Sequence, residues 1–233
     1  MQCANRSELE WRVSLSDTGT AQTARRRKHF WARPSRLPSD FKWQKGMIGA
    51  ESTFKLQNGR LLGFDAGEFG GGLWFADVNG KTEELSKENV HGFVGTQQGV
   101  LVFVGLAHMG HDSGKVLVVP YKITSQTDLR TLVELDGAPG AFSKVSDDTA
   151  LVITRESISQ IASSGVSKTL LRRSFAGLYP NSIVSASDGT IYAGMRLFVV
   201  RLVPQSVGYA EQWLVPDKCK HFRVRDSQCV CRK

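Results

Sequence analysis

One feature constrains the fold of this chain more than any other: a turn followed by a strand-like apolar run occurs four times. The copies are "KLQNGRLLGF" around Gly59, "GTQQGVLVFVG" around Gly99, "VSDDTALVIT" around Thr149 and "SASDGTIYAGM" around Gly189, spaced 40, 50 and 40 residues apart. In each, a polar pair suited to a tight turn precedes apolar residues at alternate positions, the pattern of a strand entering a sheet. A second apolar run follows each copy: "GGLWFADVNG", "GKVLVVPYKI", "ESISQIASSG" and "RLFVVRLVP". A shorter third run comes after that, in "KTEEL", "LRTLVEL", "SKTLLRR" and "AEQWLVP". Self-similarity at this period is the mark of a repeat architecture, in which each unit buries its faces against its neighbours. Helical signals are scarce, and only "SKENVHGF" (86–93) suggests a single helical turn.

Three or four short strands per unit, joined by hairpins, match the blade of a propeller. The motif "DGTIYAGMRLFVVRL" resembles a blade of the broad β-propeller superfamily, and the resemblance extends over roughly residues 50–216. It is to an architecture and to no particular family. The Trp-Asp dipeptide, the repeated kelch glycines and the Asp-box are not met, so no functional residue carries over. The resemblance implies an all-β fold, a small propeller of about five blades closed where the two ends of the chain meet; a β-sandwich is the alternative. On this reading residues 1–233 form one domain, 20–48 an irregular basic insertion and 217–233 a basic cysteine-containing tail. "ELEWRVSLSDTG" supplies a further strand, expected to pair near Trp213 and shut the ring, which would remove open sheet edges.

Charge is unevenly placed. Residues 1–48 carry ten Lys/Arg against four acids and residues 217–233 six against two, while 49–216 hold fourteen against sixteen. Basic ends on a near-neutral body point to an acidic partner. In "RRRKHFW", Arg25, Arg26 and Arg27 with Phe30 and Trp31 combine cations and aromatics, the residue types that anchor interfaces. An acidic protein surface is the expected partner; single-stranded nucleic acid is the lesser alternative, because the body is not basic. A solvated loop is the plain structural reading.

"GLAHMGHDSGK" places His108, His111 and Asp112 in one bend. Two imidazoles and a carboxylate can bind a divalent ion, but a typical site needs further ligands and a supporting shell, so a hairpin tip open to a partner is the simpler reading. No metal or other cofactor is expected. The glycines of "DAGEFGGGLWF" fit a β-bulge beneath Trp74 better than an anion cradle. Asp147 with Asp148 and Glu83 with Glu84 are adjacent in sequence, so on a strand they point to opposite faces rather than to one substrate atom. No nucleophile elbow of the G-x-S-x-G type occurs.

The four cysteines are Cys3, Cys219, Cys229 and Cys231, all near the two ends. Their even number favours an oxidising compartment, periplasmic or secreted, although no export signal is visible; a cytoplasmic location is the alternative. Cys229 and Cys231 are poorly placed to bridge each other, so one is expected to reach Cys219 and the other Cys3. No apolar run approaches the roughly 18 residues that span a bilayer. These features together predict a monomeric, non-catalytic binding protein, an inhibitor or immunity protein that blocks a toxin or enzyme. The alternatives are a hydrolase or lyase using His108, His111 and Asp112 with a metal, and a sugar binder stacking its ligand on Trp74, Trp213 or Tyr192.

Overall fold

Apolar residues at successive positions in the middle strands mean that both faces of each sheet must be covered, and the tertiary structure does this by setting sheet against sheet. The computed structural model describes residues 9–27, 37 and 41–215. Blade I is β3 (Ala50–Lys55), β4 (Gly59–Asp65), β5 (Gly71–Asp77) and β6 (Thr82–Ser86). Blade II is β7 (Val90–Thr96), β8 (Gly99–His108), β9 (His111–Val119) and β10 (Arg130–Leu135). Blade III is β11 (Ala141–Ser146), β12 (Thr149–Ile153), β13 (Ser157–Ala162) and β14 (Ser167–Arg172). Blade IV is β15 (Ser182–Ser185), β16 (Ile191–Gly194), β17 (Val199–Pro204) and β18 (Tyr209–Leu214). Each is a four-stranded antiparallel meander, and a two-stranded sheet of β1 (Leu9–Leu15) and β2 (Ala21–Arg27) precedes them.

The period-two alternation of a strand decides which neighbour each side chain meets. In β8, Val100, Val102 and Val104 join Leu61, Leu73 and Phe75 of blade I, while Leu101 and Phe103 face Ala150, Val152 and Ile161 of blade III. Leu151 and Ile153, between the latter positions in β12, face Ile183, Ile191 and Ala193 of blade IV. The first strands β3, β7, β11 and β15 lie in sequence against one another, so they form the inner side of the row. β6, β10, β14 and β18 form the more exposed outer side. This is a row of stacked blades and not the two-layer sandwich held as the alternative.

Glycine in the inner strands lets blades approach closely. An added Cβ at Gly92 would lie 2.7 Å from Cζ of Phe142 in the next blade, and the φ of 151° there is one that other residues rarely adopt. Phe142 stacks on the fully buried Phe103, ring centroids 4.2 Å apart. Gly95 does the same toward Phe54 of blade I, with 2.9 Å to its Cζ. Residues 90–93, expected in a helical turn, are therefore strand: Val90–Thr96 alternates buried and half-buried positions between two blades. Pairing with β8 and the sheets on either face outweigh the polar, glycine-containing local sequence.

The fifth sector differs from the reading of 20–48 as irregular. Ala21–Arg27 is strand β2, paired along its length with β1 across a turn in which Gly19 has a φ of 74°. β1 rests on the inner part of blade IV: the Trp11 N–H donates to the Met195 carbonyl (2.9 Å) and the Val13 N–H to the Ser182 hydroxyl (2.9 Å). It does not pair near Trp213, where the sequence pattern places it, because Trp213 sits on the outer strand β18, separated from β15 by two strands. At the other end of the row, Leu37, Phe41 and Met47 cover Leu62, Phe64 and Trp74, the face of blade I turned away from blade II. Leu37, Phe41 and Met47 thus supply packing, and the described part of the fifth sector holds two strands where the blades hold four. No helix among the described residues is long and apolar enough to cross a membrane.

Candidate functional site

The loops between the second and third strands of the blades share one rim with the segments that lead into the following blade. In blade I, residues 66–70 include a single 3₁₀ turn, Gly67–Phe69. The loop is clamped from both sides. The Asp65 carboxylate accepts the Gly67 N–H (2.9 Å), the Ala66 N–H donates to Asn89 Oδ1 (3.3 Å), and Asn89 Nδ2 donates to the Gly67 carbonyl (2.9 Å). Asn89 is buried and stands just before β7, so the clamp ties blade I to blade II. His91 adds to it, donating from Nε2 to the Gly105 carbonyl (3.0 Å) with Nδ1 3.6 Å from Asp65. These constraints leave Phe69 projecting into solvent at 78% exposure.

Beside this loop is the tip of the β8–β9 hairpin. Met109 and Gly110 form its two-residue turn with φ of 43° and 90°, the left-handed geometry that suits the twist of paired strands. Met109 is 92% exposed. His108 and His111 are cross-strand partners flanking the turn; His108 Nε2 contacts the Glu68 carboxylate of the neighbouring loop, and His111 Nε2 meets the Ser113 hydroxyl at 2.9 Å. Asp112, one residue along the strand, faces the other way. Its Oδ1 accepts the Ala138 N–H (2.7 Å), and Arg155 stands 3.9 Å from Oδ2. The three candidate ligands of a metal-assisted site therefore do not converge, for the reason that alternation imposes. Among the described residues no three His, Cys, Asp or Glu side chains gather as metal ligands would.

The β5–β6 register shifts beside the glycine cluster, between Leu73 and Trp74, but the extra residue is Leu85 of β6 rather than one of the glycines. Glu83 and Glu84 lie at successive register positions, opposite Phe75 and Trp74. Asp147 is engaged by Lys144 (2.7 Å), whose hydrogen bond holds the carboxyl below its ordinary range, while Asp148 accepts the Ser163 hydroxyl (3.2 Å). The aromatic platforms of the sugar-binding alternative are occupied by the protein itself. Trp74 is buried, Trp213 is stacked on Phe198 at 4.5 Å with the Arg173 guanidinium 4.7 Å from its ring, and Tyr192 has Arg201 at 5.9 Å.

The arginine group lies elsewhere. Arg25, Arg26 and Arg27 sit on β2 opposite Trp11, Glu10 and Leu9, on the sheet that rests against blade IV. His108 and His111 belong to blade II beside blade I, so the two predicted groups are on separate sectors. Phe30, Trp31 and the four cysteines, Cys3, Cys219, Cys229 and Cys231, lie outside the described residues. Phe69, Met109 and the clamp residue Asn89 are not singled out by sequence reasoning. The one local signal is an apolar residue placed at the turn position between two histidines.

No protein-family model matches the chain, and no curated protein matches it. Solved structures do. The extracellular domain of a hybrid two-component system from B. thetaiotaomicron is 12% identical with a TM-score of 0.51, covering 76% of this chain and 24% of that one. A second structure of that extracellular domain, described as part of a one-component system, gives 12% and 0.51 over 89% of this chain and 27% of that one. A streptogramin B lyase gives 11% and 0.48 over 92% and 72%. The chain thus spans about a quarter of the length of the extracellular domain it matches.

The fold is a β-propeller.

At such identities the likeness is one of fold alone, and propellers host enzymes and binding modules alike.

Proposed function

We propose that this propeller is a protein-binding module whose interface is the rim formed by residues 66–70 and the Met109–Gly110 turn. The observation that carries the reading is the exposure of Phe69 and Met109 on two neighbouring loops, which His108 and Glu68 join. Neither choice serves folding. A left-handed turn position prefers glycine or asparagine, and a non-glycine residue there costs about 1 kcal/mol or more. A fully solvated methionine gains nothing from burial. Methionine and aromatic residues are instead enriched where surfaces meet a partner, and loops held in place beforehand lose little freedom on binding. Glu68, Glu88, His111 and Lys115, the latter 2.8 Å from Glu88, supply a polar surround.

Inhibition of the bound partner is the form of this function that we favour, since a rigid apolar pair on a protruding rim suits insertion into a cleft. The cysteine count supports a location outside the cytoplasm, which the mass shift on alkylation with and without reductant tests. The interface is tested with Phe69→Ser and Met109→Asn. Both variants keep or raise thermal stability, and both lose the partner that the wild-type chain retains from its native source; an enzymatic partner regains its activity. Retention of that partner by the double variant at wild-type strength refutes the rim.

A further inference from the structure

We propose that the edge of β2 turned away from β1 docks an acidic, extended segment of a partner protein, which adds to the β1–β2 sheet as a third strand. This edge is separate from the Phe69–Met109 rim. Each blade has four strands, whereas the sheet in the fifth sector has two among the described residues. β1 is committed to blade IV, and among the described residues no strand pairs with the far side of β2, the edge on which the sheet can grow. Strand addition draws its affinity from backbone hydrogen bonds along such an edge and its selectivity from side chains at alternate positions.

The sequence of β2 says what the added strand must carry. It ends in three consecutive arginines, at Arg25, Arg26 and Arg27. Charges on an edge strand repel another strand of the same sign and accept one of the opposite sign. A second copy pairing antiparallel through β2 would set each arginine run opposite the uncharged Ala21–Thr23 of the other, leaving both runs without an opposite charge. The chain's own residues 217–233 carry six Lys/Arg against two acids, the wrong sign. An acid-rich segment from another protein has the complementary charge. Arg27 lies opposite Leu9, and β1 meets Met195 at the same rim where β17 begins and β18 ends at Leu214. The Arg27 end of β2 thus lies at a rim, where a segment added along β2 would begin or end.

The probe is a synthetic peptide of alternating Glu and Thr, about ten residues long to match strand lengths. It is titrated against the full chain by fluorescence anisotropy, beside a Lys-Thr counterpart and a Glu-Thr peptide N-methylated at alternate positions. The Glu-Thr peptide binds and protects amides of Ala21–Arg27 from hydrogen exchange, while the Lys-Thr and N-methylated peptides do not. Replacing all three arginines with glutamine weakens binding about tenfold at low salt, on the scale of a few exposed charge pairs, and replacing them with lysine preserves it. Met109→Asn leaves the peptide affinity unchanged, so failure here and failure of the rim are read separately. Equal binding of the N-methylated peptide, or of the Lys-Thr peptide, overturns the proposal. Amides of β2 already fully protected in the free chain overturn it too, assigning the edge to the chain's own residues when protection is independent of concentration and to a second copy when it rises with concentration.

Discussion

Placing a methyl group at Gly92 tests the blade packing at its tightest point. The added Cβ would lie 2.7 Å from Cζ of Phe142, so the ring must move, and overpacking of this kind costs about 1–3 kcal/mol. The φ of 151° adds a backbone penalty of about 1–3 kcal/mol for any residue other than glycine. Gly92→Ala should therefore lose roughly 2–6 kcal/mol. Phe142→Ala removes a half-buried ring stacked on Phe103 and should lose about 3 kcal/mol, the low end for a phenylalanine truncation. In the double variant the ring is gone and only the backbone penalty of Gly92→Ala remains. The two losses then fall short of additive by about 1–3 kcal/mol, the steric part. Urea unfolding with linear extrapolation measures all four proteins, with a constant slope as the sign that the transition is unchanged. Losses that add to within about 0.5 kcal/mol would show that Gly92 and Phe142 do not meet, and the face-to-face stacking of blades II and III would be refuted there.

Two further outcomes follow from the polar contacts. Asp112→Ala leaves the Ala138 N–H without its partner and should destabilise by about 1–3 kcal/mol, equally with and without a chelator; a loss that depends on chelator would restore a metal at this bend. Asp188 accepts hydrogen bonds from the Thr190 N–H (2.9 Å) and hydroxyl (3.0 Å), which hold its carboxyl below the ordinary value. A depressed folded pKa contributes stability that is complete above the unfolded value, about 3.9 for Asp, and is lost as pH falls through the folded one. The wild-type chain should therefore be more stable than Asp188→Asn near neutrality, with the gap closing in acid; a gap unchanged at low pH refutes the linkage.

Strands were legible in this sequence wherever turn chemistry adjoined a run of apolar residues. The turns at Asn58–Gly59, Gln98–Gly99, Asp148–Thr149 and Asp188–Gly189 announce β4, β8, β12 and β16, and the two runs after each correspond to the following strands. The inner strands were harder to read. Val90–Thr96 contains two glycines and a histidine, and Ser182–Ser185 is short and polar at both ends, because such strands are held by the blades beside them rather than by their own propensity. The hairpin tip at 108–111 was also legible, from two histidines about a Met-Gly turn. Its engagement with Glu68, some forty residues earlier in the chain, was not.

The sequence by itself determined the unit of construction, since hydrophobic alternation and turn residues act over a few positions and need no knowledge of the rest of the chain. It also determined the uneven charge, which is a matter of counting. Only the tertiary structure decided which apolar side chains would be covered. Leu101 and Val102 are equally hydrophobic neighbours that serve different blade boundaries, and Phe69 and Met109 are as apolar as either yet remain in water. Burial depends on what another part of the chain brings to a face. At the Phe69–Met109 rim, and along the far edge of β2, the described residues bring nothing.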